Sequence, residues 1–273
     1  MWLVIDTNQS RRIPAVLNAD RCAGRAEGLS LPPYMMAELL PRGQAPRSET
    51  LAAFAAHRVR IGVEPSMAIE AAAQLGADEI PTFLPFPAPG DEIESDYRRL
   101  LKENTPTVTP GLARWAETVK QNHHAFMAGM ETRGIGVRQK LKDLNVGTVE
   151  DFTEAQKMTN GPDSFIGSLI VATFDNGGRR TVAVTDSIKL VRAVLANPYF
   201  RHFYQAILYY IVSVTKLWRD PTLHREHHRN DWTDLTMALY VGTGDVLVTN
   251  DGLLRSVFAA IDPEVRVGLA SDL

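Results

Sequence analysis

Four uncharged, β-prone residues, Trp2, Leu3, Val4 and Ile5, come at the start and end at Asp6. A continuous apolar run of this length is the pattern of a strand buried on both faces of a parallel sheet. After a polar stretch, residues 29–40 read as a short approach, a Pro32-Pro33 start and a helix over 34–40, closed by Pro41 and Gly43. Helical patterns recur at 49–58, 66–75, 92–102 and 112–130, separated by Pro-rich breaks. Pro81, Pro85, Pro87 and Pro89 forbid regular helix or central strand and predict an extended linker. Around Asp175-Asn176-Gly177-Gly178 two readings stand: a hairpin joining 168–173 to 181–185, or a helix over 164–174. Long apolar faces over 188–195 and 199–217 predict two helices broken at Asn197-Pro198. The last portion reads as a helix over 231–241, a Gly-rich turn, a strand over 246–249, an acidic turn and a helix over 253–260. Such an α-β-α unit ends a doubly wound sheet.

With 273 residues, 45% hydrophobic and 22% charged, the chain has enough apolar material to fold into one large domain or two small ones. The formal net charge of -3 excludes a globally basic nucleic-acid coat, so a polyanion would need a local patch. Residues 64–104 carry nine acids against three bases and should repel nucleic acid. Residues 179–229 reverse this, with nine bases against three acids, and Tyr199, Phe200, Phe203, Tyr204, Tyr209, Tyr210 and Trp218 interleaved. Bases for phosphates and aromatics for stacking suit single-stranded RNA. An aromatic stripe at helical spacing is also how a core is built, so most of these rings are expected to be buried and some of the bases functional. The single Cys22 excludes an intramolecular disulfide and a cysteine zinc cluster, which points to a reducing compartment, the cytoplasm by default. The most apolar stretch, 206–214, is nine residues, far below the roughly 20 that span a bilayer, so no membrane segment is expected.

Candidate chemistry lies in the acids. In open α/β sheets ligands bind beyond the carboxyl ends of the strands, and two strands here run into an acid, at Asp6 and at Asn250-Asp251. Glu38 sits between Ala37 and Leu39 on an apolar helix face, where its charge is expensive unless compensated. Asp231 and Asp234 are three residues apart and share a helix face. Carboxylates converging at one edge raise one another's pKa, and a hard cation relieves that; oxygen-only ligands select Mg²⁺ or Mn²⁺. Each acid has a plainer reading alone: a strand-end turn, an exposed helix position, an N-cap, a turn residue in Asn250-Asp251-Gly252. His227 and Asp231 have the i,i+4 spacing of a zinc pair, but solvated histidines beside a phosphate path are the preferred reading of His224, His227, His228 and also of His123-His124.

In their order, Ile5-Asp6-Thr7-Asn8, Pro32-Pro33-Tyr34-Met35-Met36-Ala37-Glu38-Leu39, Asn230-Asp231-Trp232-Thr233-Asp234-Leu235 and Leu247-Val248-Thr249-Asn250-Asp251, these segments resemble the PIN domain, a family of metal-dependent ribonucleases. The likeness covers about 1–43 and 228–265. It implies a PIN-like parallel sheet flanked by helices, with a core from 1–43 and 200–273 and a large, mostly helical insertion over 44–199 that partly completes that core. It also implies hydrolysis of RNA phosphodiester bonds with Mg²⁺ or Mn²⁺ held by Asp6, Glu38 and Asp251, together with Asp231 or Asp234, between which the spacing does not choose. Asn8, Thr249 and Asn250 would support that shell, and Arg219, Arg225, His227, His228 and Arg229 would meet the RNA. A protein inhibitor or antitoxin and a second copy of the chain are the further partners the resemblance allows. Two other readings compete: an inactive PIN-like scaffold that binds RNA or protein, and a haloacid-dehalogenase-like phosphatase built on Asp6, Asp245 and Asp251, against which Asn8 stands where that family expects a second acid.

Overall fold

The computed structural model describes residues 1–6, 26–39, 54, 57–87, 95, 113–114, 116–122, 124–125, 128, 165–178, 184–217 and 234–269. Five parallel strands, β1 (Trp2–Ile5), β2 (Gly28–Leu31), β3 (Val59–Ile61), β4 (Val246–Val248) and β5 (Arg266–Gly268), form one sheet in the order β3-β2-β1-β4-β5. The α/β class expected from the sequence is what the chain adopts. Around the sheet lie α1 (Pro33–Leu39), α2 (Pro65–Ala73), α3 (Phe165–Gly178), α4 (Val184–Ala196), α5 (Pro198–Leu217) and α6 (Gly252–Ile261). Tighter 3-10 turns cover Ile80–Thr82 and Thr236–Tyr240, and the described residues between 113 and 128 are helical. No described helix is long and apolar enough to cross a membrane.

Both faces of the central strands are covered, which explains why their sequences do not alternate. Val4 and Leu247 join a large core with Ile170, Phe200, Tyr204 and Phe258. Their neighbours Leu3, Ile5, Val246 and Val248 face the other way and are equally buried, as are Met35, Ala37, Phe54 and Val119. The helix reading of 164–174 prevails over the hairpin, because Ile166, Leu169, Ile170 and Phe174 repeat at helical spacing and are all buried. The rings Tyr199, Phe200, Phe203, Tyr204 and Tyr210 are buried too, so that aromatic run is core.

Asn197 makes the break between α4 and α5. Its Oδ1 accepts the backbone N–H groups of Tyr199 and Phe200 at 3.0 and 3.2 Å, capping α5, and Pro198 supplies a preset first residue. Its amide donates to the carbonyls of Ile80 and Phe83, both at 2.8 Å. The described part of the proline-rich segment is therefore a strap rather than a free linker. Phe83 stacks on Phe200 with centroids 5.7 Å apart, and the Val63 N–H donates to the Pro85 carbonyl at 3.1 Å.

At the amino edge of the sheet, Asp245 gathers three donors from distant parts of the chain: the N–H of Trp2 at 2.9 Å, the N–H of Gly242 at 3.0 Å and Nη2 of Arg60 at 2.8 Å. The Arg60 guanidinium is held between the rings of Trp2 and Phe86, 4.5 and 4.2 Å from their centroids. Gly242 is required here, since a Cβ would come within 2.7 Å of the Tyr199 hydroxyl.

Three elements differ from expectation. Strand β3 falls inside the 44–199 segment read as mostly helical, so that segment contributes to the sheet. Strand β5, a three-residue edge strand with Arg266 exposed, is too short to carry a period. The 231–241 helix is, in its described part, only Asp234 and Leu235 followed by the 3-10 turn. A 3-10 turn rises about 2.0 Å per residue against 1.5 Å for an α-helix, so this short buried segment, packed against α5, reaches further before Val241 turns extended.

Candidate metal centre

The chain lays down β1, β2 and β3 outward in one direction, then returns across β1 to add β4 and β5 on its other side. The order therefore reverses between β1 and β4, and the cleft beyond their carboxyl ends is where such sheets bind ligands. Asp6 and Thr249 stand at that point. The Asp6 N–H donates to the Val248 carbonyl at 3.1 Å, which extends the β1–β4 ladder one residue and fixes where the Asp6 side chain begins.

Thr249 joins the two acids. Fully buried, it donates its hydroxyl to Asp6 Oδ2 at 2.5 Å and accepts the Asp251 N–H at 2.9 Å. Asp251 caps α6 by accepting the Leu254 N–H at 2.8 Å through Oδ1, and its second oxygen has no hydrogen bond among the described residues. Asp6 is only 6% exposed, so its carboxylate has lost most of its water. Asn250 between them is exposed. The far end of α6 is held as well: His202, buried on α5, places Nδ1 2.7 Å from the Val241 carbonyl and Nε2 2.9 Å from Asp262 Oδ2. Burial alone would raise the Asp262 pKa, but the His202 hydrogen bond and charge, the Glu264 N–H and Arg201 outweigh it and hold the carboxyl below its ordinary value.

The other expected site residues divide. Glu38 lies in α1, directly after β2, and its side chain is outside the described residues. Asp234 is half-buried and opens the helical turn that leads to the amino end of β4. Asp231, Asn8, Arg219, Arg225, His227, His228 and Arg229 lie outside the described residues. Among the described residues no group of three or more His, Cys, Asp or Glu side chains is gathered closely enough to hold a metal ion. What is linked is the Asp6 carboxylate and the Asp251 backbone N–H, both on the Thr249 hydroxyl; two carboxylates on neighbouring strand ends, one of them desolvated, have the oxygen chemistry that fits a hard divalent cation. Asp245, which the phosphatase reading used, sits at the opposite edge of the sheet and is occupied by Arg60 and two backbone N–H groups.

One acid at this edge was counted only as part of an acidic stretch. Glu64 follows β3 and is 7% exposed; its Oε2 has no hydrogen-bond partner among the described residues. Burial pushes its pKa up, against a smaller lowering by a hydrogen bond from Asn122. The signal was present: Val59-Arg60-Ile61-Gly62-Val63-Glu64 repeats the strand-then-acid order of Ile5-Asp6. Because the folded state holds this proton more tightly than the unfolded chain, stability should fall as pH rises above the ordinary value of 4.5. Glu64→Gln is expected to remove that decline and to be more stable than the parent at pH 7 by about 1 kcal/mol, read from urea unfolding midpoints at pH 4 and pH 7. A larger loss in the variant at pH 7 than at pH 4 would contradict it.

No family model matches the chain, and comparisons with curated proteins and with solved structures find no significant match.

Proposed function

We propose that this chain is a metal-dependent endoribonuclease that hydrolyses RNA phosphodiester bonds at the carboxyl edge of β1 and β4. One observation carries the reading: a buried threonine hydroxyl donates to the Asp6 carboxylate and accepts the Asp251 backbone N–H at the point where the strand order reverses. A loop that only turned the chain would have no need of a carboxylate that is desolvated and held by a buried hydroxyl. The resemblance of the four acidic segments to PIN domains supports the same assignment, with Glu38 and Asp231 or Asp234 completing the donor set.

Asp6 and Asp251 would hold Mg²⁺ or Mn²⁺, and the cation, when bound, supplies an acidified water and neutralises charge on the phosphate. Thr249 keeps one Asp6 oxygen occupied and so fixes the plane of the carboxylate. Asp251 is held through its own N–H and through its cap to α6, so its free oxygen is preset rather than searching. Neither acid needs to act as a nucleophile.

The test is incubation of single-stranded and transfer RNA with Mn²⁺, Mg²⁺ or chelator. Cutting that needs the cation supports the reading. Intact RNA with a folded protein that still binds it favours the scaffold instead.

A further inference from the structure

His202 is fully buried in α5, and both nitrogens of its ring meet oxygen acceptors. Nδ1 lies 2.7 Å from the Val241 carbonyl, ahead of β4, and Nε2 lies 2.9 Å from Oδ2 of Asp262, the residue that follows α6. A backbone carbonyl only accepts, and so does an ionised carboxylate, so each ring nitrogen must carry a proton for both contacts to be hydrogen bonds. A neutral ring has one proton to offer. Placed on Nδ1, it leaves the Nε2 lone pair against the carboxylate; placed on Nε2, it leaves the Nδ1 lone pair against the carbonyl. The geometry is therefore that of an imidazolium beside an aspartate. Asp262 also has a second partner: Arg201 Nη2 is 3.5 Å from the same Oδ2, on a side chain that is 36% exposed. Among the described residues these two cations are the charged groups that act on Asp262. The other groups at the ring are uncharged, the Val241 carbonyl and the Phe258 ring of α6, edge to face with centroids 5.6 Å apart.

We propose that His202 is a proton-operated latch on α6: charged, it holds Asp262 inward and ties α5 to the end of that helix; neutral, it gives Asp262 up to Arg201. The inference stands apart from the ribonuclease reading. Of the two contacts, the one to Val241 survives the loss of a proton, because Val241 is fully buried in the core, whereas Asp262 has an outward partner at hand. Asp262, held below its ordinary value of 3.8, stays ionised above about pH 5, so the ring alone operates the latch. Its release acts on the last turn of α6, where the Asp262 N–H donates to the Phe258 carbonyl at 3.0 Å. The first turn of the same helix is capped by Asp251. One proton thus biases an element with two arrangements, Asp262 on a buried ring or on a half-exposed guanidinium.

The full chain, labelled with nitrogen-15 in its histidines, is titrated by nuclear magnetic resonance between about pH 5 and pH 9, and hydrogen exchange of residues 252–262 is followed in parallel and corrected for intrinsic rates. The ring shifts count the protons on each nitrogen, with His202 assigned from its change in Asp262→Asn. Two ring protons are expected at the acid end and Nδ1–H alone at the alkaline end, with protection of 252–262 falling about tenfold over the same interval. Asp262→Asn should abolish that step, because its amide donates to the neutral Nε2 and the contact closes without a second proton. His202→Gln, with no proton to lose, should show no step either. A ring that keeps the same protons throughout, protection that does not change as the ring loses one, or a step that persists in Asp262→Asn overturns the latch. The wild type and Asp262→Asn decide this even if His202→Gln fails to fold.

Discussion

RNA cleavage in Mn²⁺ is expected to fall by at least about a hundredfold in Asp6→Asn, with the fold intact. The substitution removes the charge that a cation needs but preserves the local geometry. The Thr249 hydroxyl, which donates to Asp6 Oδ2, can donate equally to an asparagine carbonyl oxygen, and the backbone bond from residue 6 to Val248 is untouched. Removing a carboxylate from a site only 6% exposed also relieves a desolvation penalty, so the melting temperature in chelator should equal or exceed that of the wild type. Asp251→Asn gives an independent arm, because asparagine caps a helix as well as aspartate does and α6 should persist. Two further readouts accompany cleavage: thermal stabilisation by Mn²⁺, expected in the wild type and lost in both variants, and unchanged far-ultraviolet circular dichroism. Activity retained in Asp6→Asn would remove Asp6 from the centre.

The parts of this molecule that could be read from the sequence are those whose signal is local. Strands β1 and β4 were legible because burial on both faces leaves an unbroken apolar run. The α4–α5 break was legible because Asn-Pro both caps and starts a helix. The position of Asp6 and Asp251 beyond the carboxyl ends of β1 and β4 was legible because each follows an unbroken apolar strand, and Thr249 lies within the same short motif. Strand β3 was not, because its middle residue is Arg60, which reads as surface. Its guanidinium is buried only because Asp245, 185 residues later, meets it, and no window along the chain contains both. Glu64 was obscured for a related reason: in an acidic stretch it looks like one more solvated carboxylate, and its burial and its hydrogen bond to Asn122, 58 residues later, come from the fold. The ambiguity between hairpin and helix near Asp175 was resolved by packing, since Leu169, Ile170 and Phe174 meet a core assembled from α2, α4 and α5.

Asp245→Ala is expected to destabilise the protein by about 3–5 kcal/mol. Three donors converge on this carboxylate, and its removal leaves all three without it. Two are backbone N–H groups, of Trp2 and Gly242, at the start of β1 and in the turn before β4. The third is the Arg60 guanidinium, which is 16% exposed and enclosed by Trp2 and Phe86, so its charge would be left buried without its carboxylate. The penalty comes mainly from that orphaned cation. Arg60→Met in the same background should therefore recover part of the loss, making the double variant more stable than the sum of the two single changes predicts. The urea midpoints of the four proteins measure this directly. Strictly additive losses, or a loss below about 1 kcal/mol in Asp245→Ala, would mean that the contact is incidental to the fold. The consequence reaches the opposite edge of the sheet, because β4 is only three residues long. The strand that Asp245 anchors at its amino end is the one that presents Thr249 and Asp251 at its carboxyl end, so fixing the register of β4 against β1 also fixes the distance between Asp6 and its partner acid.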